Sequence, residues 1–97
     1  MSRYLTSSFV YVSNLPFETT DDEFRQIIVD KGFDEFDCFI SRRKNGRSKG
    51  YGYVEFKNEE TALSAIDKIN NSIYKCRSLT AMKTSVFAFV DGLEKKK

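Results

Sequence analysis

Hydrophobic and polar residues alternate in four short segments of the chain, and alternation with a period of two predicts β-strands. In the first segment, Val10 and Val12 share one face while Tyr11 lies on the other. Each segment ends at glycine, proline, asparagine or charged residues, which are typical of turns. We therefore predict four strands, which comprise residues 9–13, 36–41, 51–56 and 79–83.

Apolar residues recur at helical spacing in two segments between these strands. Thr19 or Thr20 can cap the first helix, whose first turn carries acidic residues that the helix dipole favours. Gly32 is a suitable C-terminal stop for this helix, and Asn58 can cap the second one. The apolar stripes consist of Phe24, Ile27 and Ile28 in the first helix and of Ala62, Ala65, Ile66 and Ile69 in the second.

The resulting order is strand-helix-strand-strand-helix-strand, which is the ferredoxin-like split βαβ pattern. We predict an α+β fold, a βαββαβ sandwich in which two helices cover one face of a four-stranded antiparallel sheet and leave the other face bare. The 97 residues fit one domain. We place this domain at residues 8–84, after a flexible lead-in of residues 1–7 and before an extension of residues 85–97 with no assigned structure.

The bare face of the predicted sheet carries tyrosines. The third strand buries Val54 and Phe56. Its Tyr51 and Tyr53 therefore point to the opposite face, as Tyr11 does in the first strand. Exposed aromatic rings lower solubility and add nothing to a core, but a planar ligand can stack on them. A nucleobase is the obvious ligand of this kind.

Two segments of the sequence resemble the signatures of the RNA recognition motif (RRM) family. Residues 49–56, Lys-Gly-Tyr-Gly-Tyr-Val-Glu-Phe, match its octapeptide at every position, and residues 10–15, Val-Tyr-Val-Ser-Asn-Leu, match its hexapeptide. The resemblance implies that the domain binds single-stranded RNA on its sheet and serves mRNA processing or regulation. It implies that Lys49 pairs with a phosphate. It also implies that bases or riboses contact the three aromatic positions, Tyr11, Tyr51 and Tyr53.

Positive charge is concentrated in the loop between the second and third strands, although the net charge of the chain is only +2. Asn45-Gly46 at the tip of this loop is a strong turn signal. A local basic patch suits a small footprint on a phosphate backbone, and such a loop often clamps RNA in the family that this sequence resembles. The candidate phosphate ligands are Arg42, Arg43, Lys44 and Arg47.

Two further residues are candidates for the RNA-binding face. In the second strand, burial of Phe36, Cys38 and Ile40 would put Phe39 beside the tyrosines, whereas a register shift by one residue would bury Phe39 instead. Met82 in the fourth strand points toward the tyrosines as well. No residue is an evident reader of the 2′-hydroxyl group, so single-stranded DNA stays open as a second ligand.

Residues 85–97 are unusually apolar for a terminus and fit two structures. Val86, Val90 and Leu93 share one face of a short helix, whereas Val86, Ala88 and Val90 alternate as in a strand. In some members of the family that this sequence resembles, a C-terminal helix covers the sheet and must move before RNA binds; in others the tail adds contacts. An exposed apolar stretch also suits self-association. These alternatives stay open at the level of sequence.

A second hypothesis is a protein–protein interaction module that uses the helical face or the apolar tail. Relatives that bind peptides usually carry degraded aromatic signatures and an Arg-x-Phe element before the last strand. Here both signatures are intact, and residues 75–79 read Lys-Cys-Arg-Ser-Leu, with no such phenylalanine. RNA binding is therefore the preferred hypothesis.

The sequence carries little that catalysis would need. It has no histidine and only two cysteines, Cys38 and Cys76, which are too few for a metal site or a disulfide framework and which we expect to be reduced and partly buried. We expect no enzyme activity, catalytic residue, metal or cofactor. No apolar run approaches the roughly 20 residues of a membrane span, and the start of the chain does not resemble a secretory signal. We expect an intracellular protein, nuclear or cytoplasmic, without a membrane partner.

Overall fold

Four strands form one antiparallel sheet in the computed structural model, which describes residues 7–95. The elements are β1 (Ser8–Ser13), α1 (Asp21–Asp30), β2 (Phe36–Arg42), β3 (Ser48–Phe56), α2 (Glu59–Ile69), β4 (Ile73–Tyr74), β5 (Arg77–Ser78), β6 (Thr80–Thr84) and α3 (Val86–Lys95). The order of strands in the sheet is β2-β3-β1-β6. The predicted α+β fold with its antiparallel sheet is confirmed. The predicted lead-in lies outside the described residues, except for Ser7.

Both predicted helices are capped at their N-termini by side chains. Thr20, and not Thr19, caps α1: its hydroxyl accepts from the Glu23 amide at 3.1 Å, and the Glu23 carboxylate accepts from the Thr20 amide at 2.9 Å. The bond from the Thr20 amide lowers the pKa of the Glu23 carboxyl. Asn58 caps α2 as predicted, accepting from the Thr61 amide at 2.8 Å. These caps satisfy amide groups that the first helical turn leaves without partners.

The main hydrophobic core lies between one face of the sheet and helices α1 and α2. Most of the predicted core-facing residues are buried there, because the strand and helix periodicities point them toward each other. Of the predicted core-facing residues, Cys38 and Ile66 are only half-buried and pack against this core. The largest buried members of this core are Leu15, Phe24, Ile28, Phe36, Ile40, Phe56, Ile69 and Leu79.

Gly52 lets α1 and β2 approach the centre of β3. A Cβ atom at this position would lie 2.5 Å from the Phe39 carbonyl oxygen and 2.7 Å from Phe24 Cε2. Because the backbone cannot yield as the tip of a side chain can, we expect Gly52→Ala to lower the free energy of unfolding by about 1–3 kcal/mol. Denaturant titration measures this loss. Lys49→Ala is the control, since Lys49 lies in the same strand with a half-exposed side chain. Equal stability of the two variants would show that β3 has room for a side chain here.

A small hairpin, β4–β5, precedes the last strand of the sheet and was not predicted. Its turn residues Lys75 and Cys76 have φ angles of 49° and 68°, a conformation that asparagine and glycine usually supply. Cys76 is exposed, so the expectation that it is partly buried was wrong. The hairpin is tied to the end of β1, because Arg77 donates to Asn14 Oδ1 and Asn14 donates to the Ser78 carbonyl.

The C-terminal extension forms a third helix, α3, on the sheet face opposite α1 and α2. The Phe89 ring lies 4.8 Å from the Phe9 ring and 5.2 Å from the Phe39 ring, measured between centroids. These three rings form a second, smaller core. The helical alternative for the tail is therefore the one that the structure adopts. Within residues 7–95, no helix has the length and apolar character needed to cross a membrane.

Candidate nucleic-acid interface

Three tyrosines from the two central strands lie side by side on the sheet face opposite α1 and α2. Tyr11 pairs with Tyr53 across β1 and β3, and Tyr51 is paired with Ser13. The Tyr11 ring lies 5.1 Å from the Tyr51 ring and 5.6 Å from the Tyr53 ring, and Tyr51 and Tyr53 are 6.0 Å apart. All three side chains are half-exposed. We call these three residues the tyrosine surface.

Two residues of the tyrosine surface, Tyr11 and Tyr53, are uncharged at neutral pH. Burial raises the pKa of both Tyr11 and Tyr53 above the ordinary value of a phenol, and neighbouring tyrosines raise it further. Phenols already ionise near pH 10 in water, so these two stay protonated at neutral pH. These two residues therefore offer aromatic faces and hydroxyl groups without a negative charge that would repel phosphate.

Met82 extends the tyrosine surface toward the edge strand. It is paired with Tyr11 across β1 and β6, and its side chain is 53% exposed. The neighbouring alternate residue, Thr80, is exposed as well. The structure thus places Met82 where the sequence predicted it, beside the aromatic rings.

Phe39 lies on the predicted face of the sheet but is covered by α3. Its ring is 5.6 Å from the Tyr53 ring, yet only 3% of the residue is exposed because Phe89 packs against it. The alternative of a register shift is wrong, since Phe36 and Ile40 both face the main core. In this conformation Phe39 is not accessible to a ligand, and its predicted role depends on α3.

Helix α3 also covers part of the Tyr53 side chain. A Cβ atom at Gly92 would lie 3.0 Å from Tyr53 Cε2 and 3.2 Å from Phe39 Cε2, so the helix backbone touches both rings. The Asp91 carboxylate adds a small upward contribution to the raised pKa of Tyr53, behind burial and the neighbouring tyrosines. The open part of the face is therefore the end that carries Tyr11, Tyr51 and Met82.

The predicted basic residues surround the turn between β2 and β3. Arg42 is half-exposed and donates to the Gly46 carbonyl at 3.1 Å, while the Arg43 amide donates to the Arg47 carbonyl at 2.8 Å. Arg43, Lys44 and Arg47 are exposed, and Lys49 at the start of β3 is half-exposed. Within the described part of the chain, none of these cations has a carboxylate partner. They are available to bind an anion.

Three of the loop cations line a cleft of about 630 Å³ between the β2–β3 turn and the segment that joins β1 to α1. Phe17 and Thr19 of that segment also line it, whereas Lys44 does not. Neither residue was predicted to line a binding site, since Thr19 was considered only as a helix cap and Phe17 was not considered. The sequence did contain one sign of Phe17: it is an isolated phenylalanine in an otherwise polar stretch after Pro16, and it belongs to no predicted core.

A family model of the RNA recognition motif matches residues 10–80 of the chain. The strand order of the sheet and its aromatic surface are consistent with this match. The chain therefore belongs to the RNA recognition motif family, a class of RNA-binding domains. Proteins of this class are typically binding modules and not enzymes.

Known relatives and solved structures agree with this assignment. The chain is 35% identical over 79 residues to the human cleavage stimulation factor subunit 2 tau variant; the match covers 81% of this chain but only 12% of that relative's length. The structure of the Rna15 RRM with bound RNA (GU) has a TM-score of 0.68 at 22% identity, covering 89% of this chain and 96% of that one. The first two RRM domains of yeast poly(U)-binding protein (Pub1) give a TM-score of 0.76 at 22% identity, covering 88% and 52%. At these identities, the structural matches show the fold.

Proposed function

We propose that this domain binds single-stranded RNA by stacking bases on the tyrosine surface. The observation that carries the proposal is the arrangement of Tyr11, Tyr51 and Tyr53, whose half-exposed rings lie 5.1 to 6.0 Å apart on a face that α1 and α2 leave open. Each stacked base contributes about 1–3 kcal/mol. Bases in a duplex are already stacked on each other, so single strands are the favoured ligand.

Basic residues beside the tyrosine surface supply the phosphate contacts in this proposal. Lys49 lies two residues before Tyr51 in β3, and the β2–β3 turn carries further cations that form no ion pair with an acidic residue among residues 7–95. Each phosphate contact to a single strand contributes about −0.7 to the slope of log affinity against log salt concentration. A few contacts of this kind make the binding reversible and sensitive to salt.

Helix α3 limits how many bases the sheet can hold at once. Phe9 and Phe39 share the sheet face with the tyrosines, but Phe89 covers both of them. A strand of RNA that extends from Tyr53 toward Phe39 therefore competes with α3 for the same rings. The tail is in this respect a competitor of RNA, and not an additional contact.

The names of two longer relatives indicate the kind of process in which we expect this domain to bind RNA. The human relative carries the name of a cleavage stimulation factor, and a relative from Candida glabrata is named as a polyadenylate-binding protein, cytoplasmic and nuclear; the chain spans 12% of the length of each. We place the domain in mRNA processing or regulation, in the nucleus or the cytoplasm.

Titration with short oligonucleotides tests the function. Random-sequence single-stranded RNA should shift the amide signals of β1 and β3 at low salt, with weaker affinity at physiological salt. Duplex RNA should have little effect, and matched single-stranded DNA reports whether the sugar matters. Shifts confined to α1 and α2, or none at all, would contradict the proposal and favour a protein partner instead.

A further inference from the structure

The cleft beside the β2–β3 turn has the size and chemistry of a second ligand site. Its volume of about 630 Å³ lies within the range that holds a small organic molecule. One wall is the turn that carries Arg42, Arg43 and Arg47, and the other is the segment that contains Phe17 and Thr19. We call it the arginine cleft.

The side chains that line the arginine cleft carry a net positive charge. Within residues 7–95, its arginines form no ion pair. Glu18 also lines the cleft and offsets part of this charge, which leaves an excess of positive side chains. Planar guanidinium groups suit the oxygen atoms of a phosphate, which they can bind with two parallel hydrogen bonds.

Phe17 adds an aromatic surface to the arginine cleft. Its side chain is 66% exposed, although an aromatic ring of this size usually finds apolar contacts. One edge of the ring rests on Gly50, where a Cβ atom would lie 3.0 Å from Phe17 Cε1. Gly50 directly precedes Tyr51 in β3, so Phe17 lies against the strand that carries two of the three tyrosines.

Thr19 carries an unpaired hydroxyl at the cleft. The residue is only 1% exposed, and its Oγ1 has no hydrogen-bond partner within the described part of the chain. Buried polar atoms are nearly always paired, and an unpaired one costs free energy that a ligand can recover. Because Thr19 also lines the cleft, a polar group of a ligand that enters the cleft is a candidate partner for this hydroxyl.

We infer that the arginine cleft binds the RNA nucleotide next to those stacked on the tyrosine surface. Its phosphate contacts Arg43 and Arg47, its base stacks on the exposed face of Phe17, and one of its oxygen atoms accepts from Thr19. This inference rests on the proposed function, because the adjoining nucleotides must already lie on the tyrosine surface. The domain then reads RNA around the end of the sheet as well as across it.

Affinity as a function of RNA length tests the inference. The probes are random-sequence oligoribonucleotides of about three to about eight nucleotides, in versions that lack the terminal base at the 5′ or the 3′ end. We expect the affinity of the wild type to rise on the order of 10-fold once the strand reaches the cleft, and we expect removal of one terminal base to abolish most of that rise. Phe17→Ala should abolish it with every probe, whereas Ile73→Ala, which removes another exposed apolar side chain that does not line the arginine cleft, should not.

One further pair of variants and one single variant separate specific contacts from general effects. Arg43→Ala should weaken binding of the longer strands several-fold more than Lys44→Ala, which removes the same charge from the same turn but not from the cleft. Thr19→Val should weaken their binding several-fold while leaving the midpoint of thermal unfolding equal or higher, because it removes an unpaired buried hydroxyl. A purely structural role of Thr19 would not produce this combination.

The outcomes distinguish the cleft from the tyrosine surface. If the Phe17→Ala and Arg43→Ala variants keep the length-dependent gain while Tyr51→Ala/Tyr53→Ala loses all binding, the arginine cleft is not a site but the proposed function holds. Equal effects of Arg43→Ala and Lys44→Ala would also overturn the cleft, leaving only a diffuse charge effect. If wild-type protein binds no strand of any length, both ideas are wrong.

Discussion

The Tyr51→Ala/Tyr53→Ala double variant should lose most of its affinity for single-stranded RNA while remaining folded. Each stacked base contributes about 1–3 kcal/mol, so the loss of two rings should weaken binding by about 2–6 kcal/mol, or at least about 30-fold. Both side chains are half-exposed and lie outside the main core, although Tyr53 packs against the second core. The free energy of unfolding should therefore fall, but the main core stays intact and the variant remains folded. Fluorescence anisotropy with labelled oligonucleotides measures the affinity, and amide spectra report the fold.

Two controls show whether this loss comes from stacking. Tyr74→Ala makes the same chemical change in the β4–β5 hairpin, where the ring packs against the main core, and should leave affinity unchanged. Tyr51→Phe/Tyr53→Phe keeps the aromatic faces and should retain most of the binding. An alanine double variant that is folded and binds as tightly as the wild type would rule out the tyrosine surface as the RNA site.

Phe89→Ala should tighten RNA binding, because it releases α3 from the sheet. A helix of this length is marginal in water on its own, so its position depends on the apolar contacts that it makes. Phe89 is 4% exposed and packs on Phe9 and Phe39. Burial of one phenylalanine contributes about 2 kcal/mol, so a strand that must displace α3 should bind the variant up to about 30-fold more tightly. Titration of long and short strands measures the change, and amide exchange in α3 reports its release.

The same helix supplies a matched control. Phe87→Ala removes the same atoms from α3, but Phe87 is 82% exposed, so its loss should alter neither the position of the helix nor the affinity. The gain in Phe89→Ala should reverse when Phe39→Ala is added, if the uncovered Phe39 ring takes part in stacking. Weaker binding by Phe89→Ala alone would mean that α3 contributes contacts to RNA and does not compete with it.

Local patterns in the sequence were sufficient to predict the fold and the face that carries the tyrosines. The direction of a side chain in a strand depends only on its position in the alternation, so Val10 and Val12 place Tyr11 on the opposite face. Helix caps are local in the same way, as the capping box of Thr20 and Glu23 shows. That these tyrosines contact RNA remains a prediction.

The parts that escaped the sequence analysis depend on contacts between distant segments or on unusual backbone conformations. The β4–β5 hairpin turns at Lys75 and Cys76, which carry no glycine or asparagine signal for positive φ angles. The arginine cleft forms only because the turn after β2 comes to lie beside the segment after β1. The residues next to Phe17 in the sequence do not indicate that its ring is exposed beside three arginines.

Alternation along each strand sets which side chains face away from the main core, whereas packing between distant segments sets how much of that face is open. Phe39 illustrates the difference: alternation puts it beside Tyr53, yet Phe89, which is distant from it in the chain, covers it. The tail pattern fitted a helix and a strand equally well, since Val86 and Val90 satisfy both periods. What decided the outcome was burial of Phe89 against Phe9 and Phe39, because the hydrophobic effect acts on surfaces that meet only in the folded chain.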